Sequence, residues 1–228
     1  MDNEIVISVR NLSKTFYIRE NAENSIMSKV LNVFSKSDLR EIRALSDVNF
    51  SIRKGSFVGI IGHNGSGKST LLKLLTGAFP PDKGGEIDIS GKVIRLSLGM
   101  GFDPNLSGRE NIYVNGSMLG LSFKSIGKKF NEILEFSGLE EFVDTPVKYY
   151  SSGMVSRLSF SIAIHAEADI FLLDEFFGGV GDQEFRDKSE KAFKYLLKDK
   201  TILFVSHELD QIEDLCDEVL EFNKGILL

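Results

Sequence analysis

Residues 57–75, FVGIIGHNGSGKSTLLKLL, restrict what this chain can fold into more than any other stretch. The apolar run from Phe57 to Ile61 reads as a buried strand, and from Leu71 onward the apolar positions have helical spacing. Between them, Gly62-His63-Asn64-Gly65-Ser66-Gly67-Lys68-Ser69 satisfies G-x-x-x-x-G-K-[ST] in a strand–loop–helix context. Gly62, Gly65 and Gly67 let the backbone turn tightly and bring its N–H groups up to phosphate oxygens with no Cβ in the way. A helix starting near Lys68 adds its partial positive charge at the N-terminus. Lys68 can reach β- and γ-phosphates, and the Ser69 hydroxyl can ligate Mg²⁺. The stretch is therefore read as a nucleoside-triphosphate site. The bland alternative, a glycine-rich turn that binds nothing, is set aside because motif and context agree.

Around this centre the chain alternates strands and helices. Residues 4–10, EIVISVR, and 48–52, VNFSI, alternate as strands should, and 86–93 reads as alternating strands closed by Gly91. Helical patterns cover 107–121, 123–137, 151–167, 183–198 and 208–216. Continuous apolar strands at 169–175 and 201–205 point to a mostly parallel sheet covered on both faces, and 218–228 reads as a hairpin. An insertion over about residues 18–43 contains Ile26, Met27, Val30, Leu31, Val33 and Phe34 at helical spacing. That helix either packs on its own domain or is offered to a membrane surface or membrane partner.

In a sheet of this kind, functional groups collect at the carboxyl ends of the strands. One strand ends in the phosphate loop, one in Asp174-Glu175 and one in Ser206-His207. Asp174 is placed to hold Mg²⁺ opposite Ser69, and Glu175 to polarise a water for attack on the γ-phosphate. His207 is placed to contact that phosphate. A further stretch, Tyr150-Ser151-Ser152-Gly153-Met154, opens a helix and reads either as a second anion site or as ordinary capping by Ser151 or Ser152.

With that stretch placed before the acidic strand end, the chain resembles an ABC transporter ATP-binding subunit over essentially its whole length. The resemblance implies an α/β fold: a P-loop ABC-type ATPase with a mostly parallel core sheet, an N-terminal antiparallel β region and a helical subdomain. It implies one domain over 1–228, with 1–97 and 169–228 as core and about 98–168 as helical subdomain. The implied ligands are ATP and Mg²⁺. The implied nucleotide contacts are Phe16 on the adenine (Tyr17 the fallback), the loop Gly62, His63, Asn64, Gly65, Ser66, Gly67, Lys68, Ser69 and Thr70, and Ser151, Ser152, Gly153 and Met154. The last four would act on the ATP of a second copy in a head-to-tail pair. Glu175 and His207 are the implied catalytic residues, and Ser69 and Asp174 the metal ligands.

Within the family the chain is most similar to polysaccharide exporters. That likeness rests on YSSGM, on GFDPNLSGREN, on GVGD after the acidic pair, and on the insertion after Phe16. It implies a transmembrane permease partner, a lipid-linked glycan carried through that permease, and a place on the cytoplasmic face of the inner membrane. Two features depart from the family pattern. No glutamine follows the strand leading into the helical block, where Leu98-Gly99-Met100-Gly101 stands, and Asp182 lies one residue further from Glu175 than usual.

Composition narrows the alternatives. At 228 residues, with 42% hydrophobic and 26% charged, the chain reads as a globular protein with a sizeable core. A net charge of −6 gives no support to a nucleic-acid partner and so counts against a non-transport ABC protein acting on ribosomes or DNA. One cysteine, Cys216, excludes an internal disulfide. The N-terminus has no signal-peptide pattern, and no apolar run approaches the length of about 18 residues that spans a membrane. An ATPase for another exported substrate (teichoic acid, capsule, lipid or drug) and an ATP-holding regulatory switch remain as alternative expectations.

Overall fold

Period-two alternation along the central strands sorts their side chains onto two faces, and a computed structural model shows what covers each. It describes residues 4–19, 39–97, 101–174, 182–196, 198–206, 212–213 and 215–228. The described strands are β1 (Ile5–Arg19), β2 (Leu39–Arg53), β3 (Phe57–Ile61), β4 (Glu86–Ile89), β5 (Val93–Leu96), β6 (Ile170–Asp174), β7 (Thr201–Val205), β8 (Glu218–Asn223) and β9 (Ile226–Leu227). The described α-helices are α1 (Lys68–Leu75), α2 (Gly108–Met118), α3 (Phe123–Ser137), α4 (Ser152–Ala163) and α5 (Gln183–Leu196). One sheet has the order β5-β6-β7-β3-β8-β9 and the other β2-β1-β4. In the larger sheet every pair is parallel except β8–β9.

Ile170 and Leu172 of β6 and Leu203 and Val205 of β7 enter one buried cluster with α1 and the antiparallel sheet. Phe171 and Leu173, with Ile202 and Phe204, enter the opposite cluster beside Phe160 of α4 and Phe193 of α5. A third cluster joins Ile112 of α2, Ile126, Phe130 and Ile133 of α3, and Leu158 and Ile162 of α4. The helical block thus has an apolar centre of its own, tied to the sheet through α4. Of the aromatic residues on α3, Phe130 is buried and Phe136 packs against the second cluster, whereas Phe123 is exposed and stacks on Tyr113, which also stacks on Phe130.

Two strand readings change. Strand β2 begins at Leu39, far upstream of the apolar run at 48–52, and pairs with β1 as far as Arg19↔Leu39. Its first five residues are exposed, so no buried face imprints alternation on them. The ladder stays intact by local irregularity. Asn11 and Asp47 take φ of 49° and 47°, a region these residues tolerate, close to its register shifts. Asn11 N–H donates to Asn49 Oδ1 (2.7 Å) and Asp47 N–H to Ser13 Oγ (3.0 Å). The second change is that 86–93 divides at Gly91, whose φ is 115°: β4 joins the antiparallel sheet and β5 the parallel one.

Helix α2 starts on a complete capping box. Ser107 Oγ accepts from Glu110 N–H (3.2 Å), and the Glu110 carboxylate accepts from Ser107 N–H (2.8 Å). Replacing Ser107 by Ala is expected to cost about 1 kcal/mol and lower Tm by about 2–4 °C in a calorimetric scan.

Candidate functional site

The phosphate loop lies between the end of β3 and the start of α1, and tertiary packing dictates its glycines as much as backbone freedom does. Gly62 has φ 142°, and a Cβ there would stand 2.2 Å from the Phe222 carbonyl oxygen of β8. Gly67, at φ 109°, is the N-cap of α1, and its Cβ would stand 2.6 Å from the Ala44 oxygen of β2. Gly65 differs: its φ is 79°, but nothing lies within 4 Å of a Cβ there, so only the backbone conformation selects glycine. From outside, the turn between β8 and β9 holds the loop. Gly225 N–H donates to Ser66 O (2.9 Å), and Gly225 O accepts from Ser46 N–H (2.8 Å).

Lys68 is buried and folds back over the loop, its ammonium donating to the Gly62 and His63 carbonyls. Ser66 Oγ is buried with no hydrogen-bond partner among the described residues. His63 Nε2 sits 3.3 Å from Asn223 Oδ1. The residues Asn64, Gly65, Ser66, Gly67, Lys68, Ser69 and Thr70 line one cleft, and Asp174 and Val205 line it from the ends of β6 and β7. Asp174 and Val205 are register partners, so the carboxylate is set by the sheet itself. Ile42, Arg43 and Ala44 of β2 form the remaining wall.

The residues present fit a nucleoside triphosphate and a divalent cation. The glycine cradle excludes side chains, the first turn of α1 faces no capping side chain, and a buried hydroxyl in the loop is orphaned. Ser69 and Asp174 offer oxygen donors, and Mg²⁺ is usually held by one or two carboxylates together with substrate phosphates. The Asp174 carboxylate, however, is already engaged: Arg95 of β5 donates to its Oδ2.

Phe16 lies on β1 directly opposite Ile42, a wall residue of the cleft. Its ring packs edge-on against Phe79 at 5.6 Å, with Lys14 Nζ 5.7 Å from its centroid. Tyr17, its fallback, is 65% exposed and pairs with Glu41.

The stretch Ser151-Ser152-Gly153-Met154 stands apart from this cleft at the start of α4. The capping reading is realised, since Ser151 Oγ accepts from Met154 N–H (3.2 Å). Capping uses only part of this helix start, and Ser151 and Ser152 both remain exposed. Asp182 caps α5 by accepting from Phe185 N–H (2.9 Å), and its carboxylate lies 3.9 Å from the Arg157 guanidinium. Glu175 and His207 lie outside the described residues, as do Leu98, Gly99 and Met100 and most of the 18–43 insertion.

Sequence reasoning missed Ile42, Arg43 and Arg95. The first two fell inside the insertion as it was read. Arg95 carried a usable signal, a cation inside the otherwise apolar strand VIRL.

The ABC transporter family model matches residues 45–178. The O-antigen export system ATP-binding protein RfbB of Klebsiella pneumoniae is 40% identical over 222 residues, 95% of this chain and 89% of that protein. A protein of the same name from Myxococcus xanthus is 48% identical over 182 residues, 79% of this chain and 41% of its own length. Among solved structures, the dimeric post-hydrolysis state of the ATP-binding cassette MJ0796 bound to ADP and Pi aligns with a TM-score of 0.74 at 22% identity, covering 97% of this chain and 96% of that one. With its phosphate loop, its mostly parallel sheet beside an antiparallel one and these relatives, this chain belongs to the ABC transporter family, as one of its ATP-binding subunits.

Proposed function

We propose that this protein hydrolyses ATP to drive export of a lipid-linked polysaccharide through a separate transmembrane permease. The observation that carries the reading is the near-complete match, along both chains, to an O-antigen export ATP-binding protein. The cleft supports the ATPase half of it, because β3, α1 and β6 bring Lys68, Ser69 and Asp174 to one place.

Phosphate oxygens would be met by the loop N–H groups of Gly65, Ser66 and Gly67 and by the Lys68 ammonium, which gives up its carbonyl partners for them. Mg²⁺, held by Ser69 and Asp174, would neutralise charge on those oxygens. Phe16 would stack on the adenine. Glu175 would take the proton of the attacking water, and His207 would hold the γ-phosphate end. Ser151 to Met154, exposed at a helix N-terminus, would close on the ATP of a second copy in a head-to-tail pair, so that binding and hydrolysis alternate between closed and open forms.

Among the described residues no helix is long and apolar enough to cross a membrane. Attachment to the cytoplasmic face of the inner membrane would come through the permease, and the amphipathic pattern within 18–43 would be the segment offered to it. Affinity purification of the tagged protein in mild detergent from its source cells tests the reading. A multi-spanning membrane protein with bound lipid-linked glycan is expected. Recovery with ribosomes or DNA and no membrane protein would overturn export and leave only the ATPase.

A further inference from the structure

The Asp174 carboxylate serves two claims at once. It closes the phosphate cleft opposite Ser69, and its Oδ2 accepts from an Arg95 Nη. Both side chains are largely withdrawn from water, at 20% and 16% exposure, so the pair is screened far less than a surface ion pair. Arg95 nevertheless sits poorly elsewhere: its Nε is buried with no hydrogen-bond partner among the described residues. Arg95 also lines a second, smaller cavity between β5, α2 and α4, where Ser97 and Asn115 supply polar groups and Met118 and Leu119 the apolar wall. Arg95 thus joins the phosphate cleft to the cavity beside the helical block, with a half-satisfied fork and space next to it.

We propose that Arg95 is an internal rival of the divalent cation: guanidinium and metal are alternative partners of Asp174, and metal binding sends Arg95 toward the Ser97–Asn115 cavity. A cation held against a metal-ligating carboxylate must be displaced or must share it, and either raises the metal concentration needed for half-saturation. The displaced arginine would move toward α2, so loading of the cleft would be registered by the helical block. This rests on the reading of Asp174 as a metal ligand given above, and the test separates the two.

The experiment is a Mn²⁺ titration followed by electron paramagnetic resonance, on full-length protein saturated with the non-hydrolysable analogue AMP-PNP. Arg95→Gln is expected to lower the half-saturating Mn²⁺ by about tenfold, equivalent to about 1.4 kcal/mol. Arg95→Lys keeps the charge but loses the planar fork and is expected to move the midpoint part of the way. Asp174→Asn is the control and is expected to raise the midpoint. If Asp174→Asn raises it while both Arg95 variants titrate as wild type or more weakly, the rivalry is overturned and the metal reading stands. If Asp174→Asn leaves the midpoint unchanged, the metal reading fails and the rivalry falls with it. Arg95→Lys, which retains a cation beside Asp174, keeps the test open should Arg95→Gln fold poorly.

Discussion

Replacing Glu175 by Gln is expected to slow ATP turnover by about 10²- to 10⁴-fold while leaving nucleotide binding intact, the range removed when a positioned general base is lost. The substitution keeps size and shape and removes only the ability to accept a proton. Its neighbour Asp174 ends β6 in register with Val205 of β7, so the strand that presents Asp174 is fixed on both flanks by β5 and β7. A catalytic defect without a binding defect has a second signature. ATP should persist in the head-to-tail pair, and the mutant should run as a dimer on a sizing column with ATP where wild type returns to monomer. Phosphate release and column elution together check this. Equal turnover in mutant and wild type would remove Glu175 as the base.

Replacing Gly62 by Ala is expected to disable the cleft by a different route. The new Cβ would fall 2.2 Å from the Phe222 oxygen and 2.7 Å from Ser66 Oγ, on a backbone at φ 142° that side-chain-bearing residues rarely adopt. The Phe222 carbonyl belongs to β8, which is hydrogen-bonded along β3, so neither partner yields cheaply. The expected cost is about 3 kcal/mol or more, which lowers Tm by about 6–12 °C for a chain of this size. Nucleotide affinity should be lost as well, because any relief moves the loop. Gly65→Ala is the contrast: with nothing within 4 Å of a Cβ, it should cost only the positive-φ strain of about 1–2 kcal/mol.

The contrast between these glycines shows how far sequence reasoning reaches. All three were legible as loop residues, because the motif and its strand–helix frame are local. Why Gly62 and Gly67 tolerate nothing larger was not legible, since the obstructing atoms belong to Phe222 and Ala44. The central strands were legible because burial on both faces makes them continuous apolar runs, and α3 because burial of one face imposes a helical period. The outer half of β2 was not, because both its faces meet solvent and only its pairing with β1 makes it a strand. The pairing of Arg95 with Asp174 shares that origin, since β5 and β6 become neighbours only through the sheet order.

The clamp on the phosphate loop has a consequence for biosynthesis. Ser66 and Ser46 are fastened to Gly225, and β3 is flanked by β7 and β8, strands that a ribosome makes long after the loop itself. The helical block has its own apolar centre from α2, α3 and α4, whose residues emerge together, so it can condense early on the nascent chain. The hydrogen bonds that hold the loop from outside form only once residue 225 has left the exit tunnel. A chain cut before residue 225 lacks this clamp and is expected to bind ATP more weakly than the full chain, a difference that equilibrium binding of the two would read.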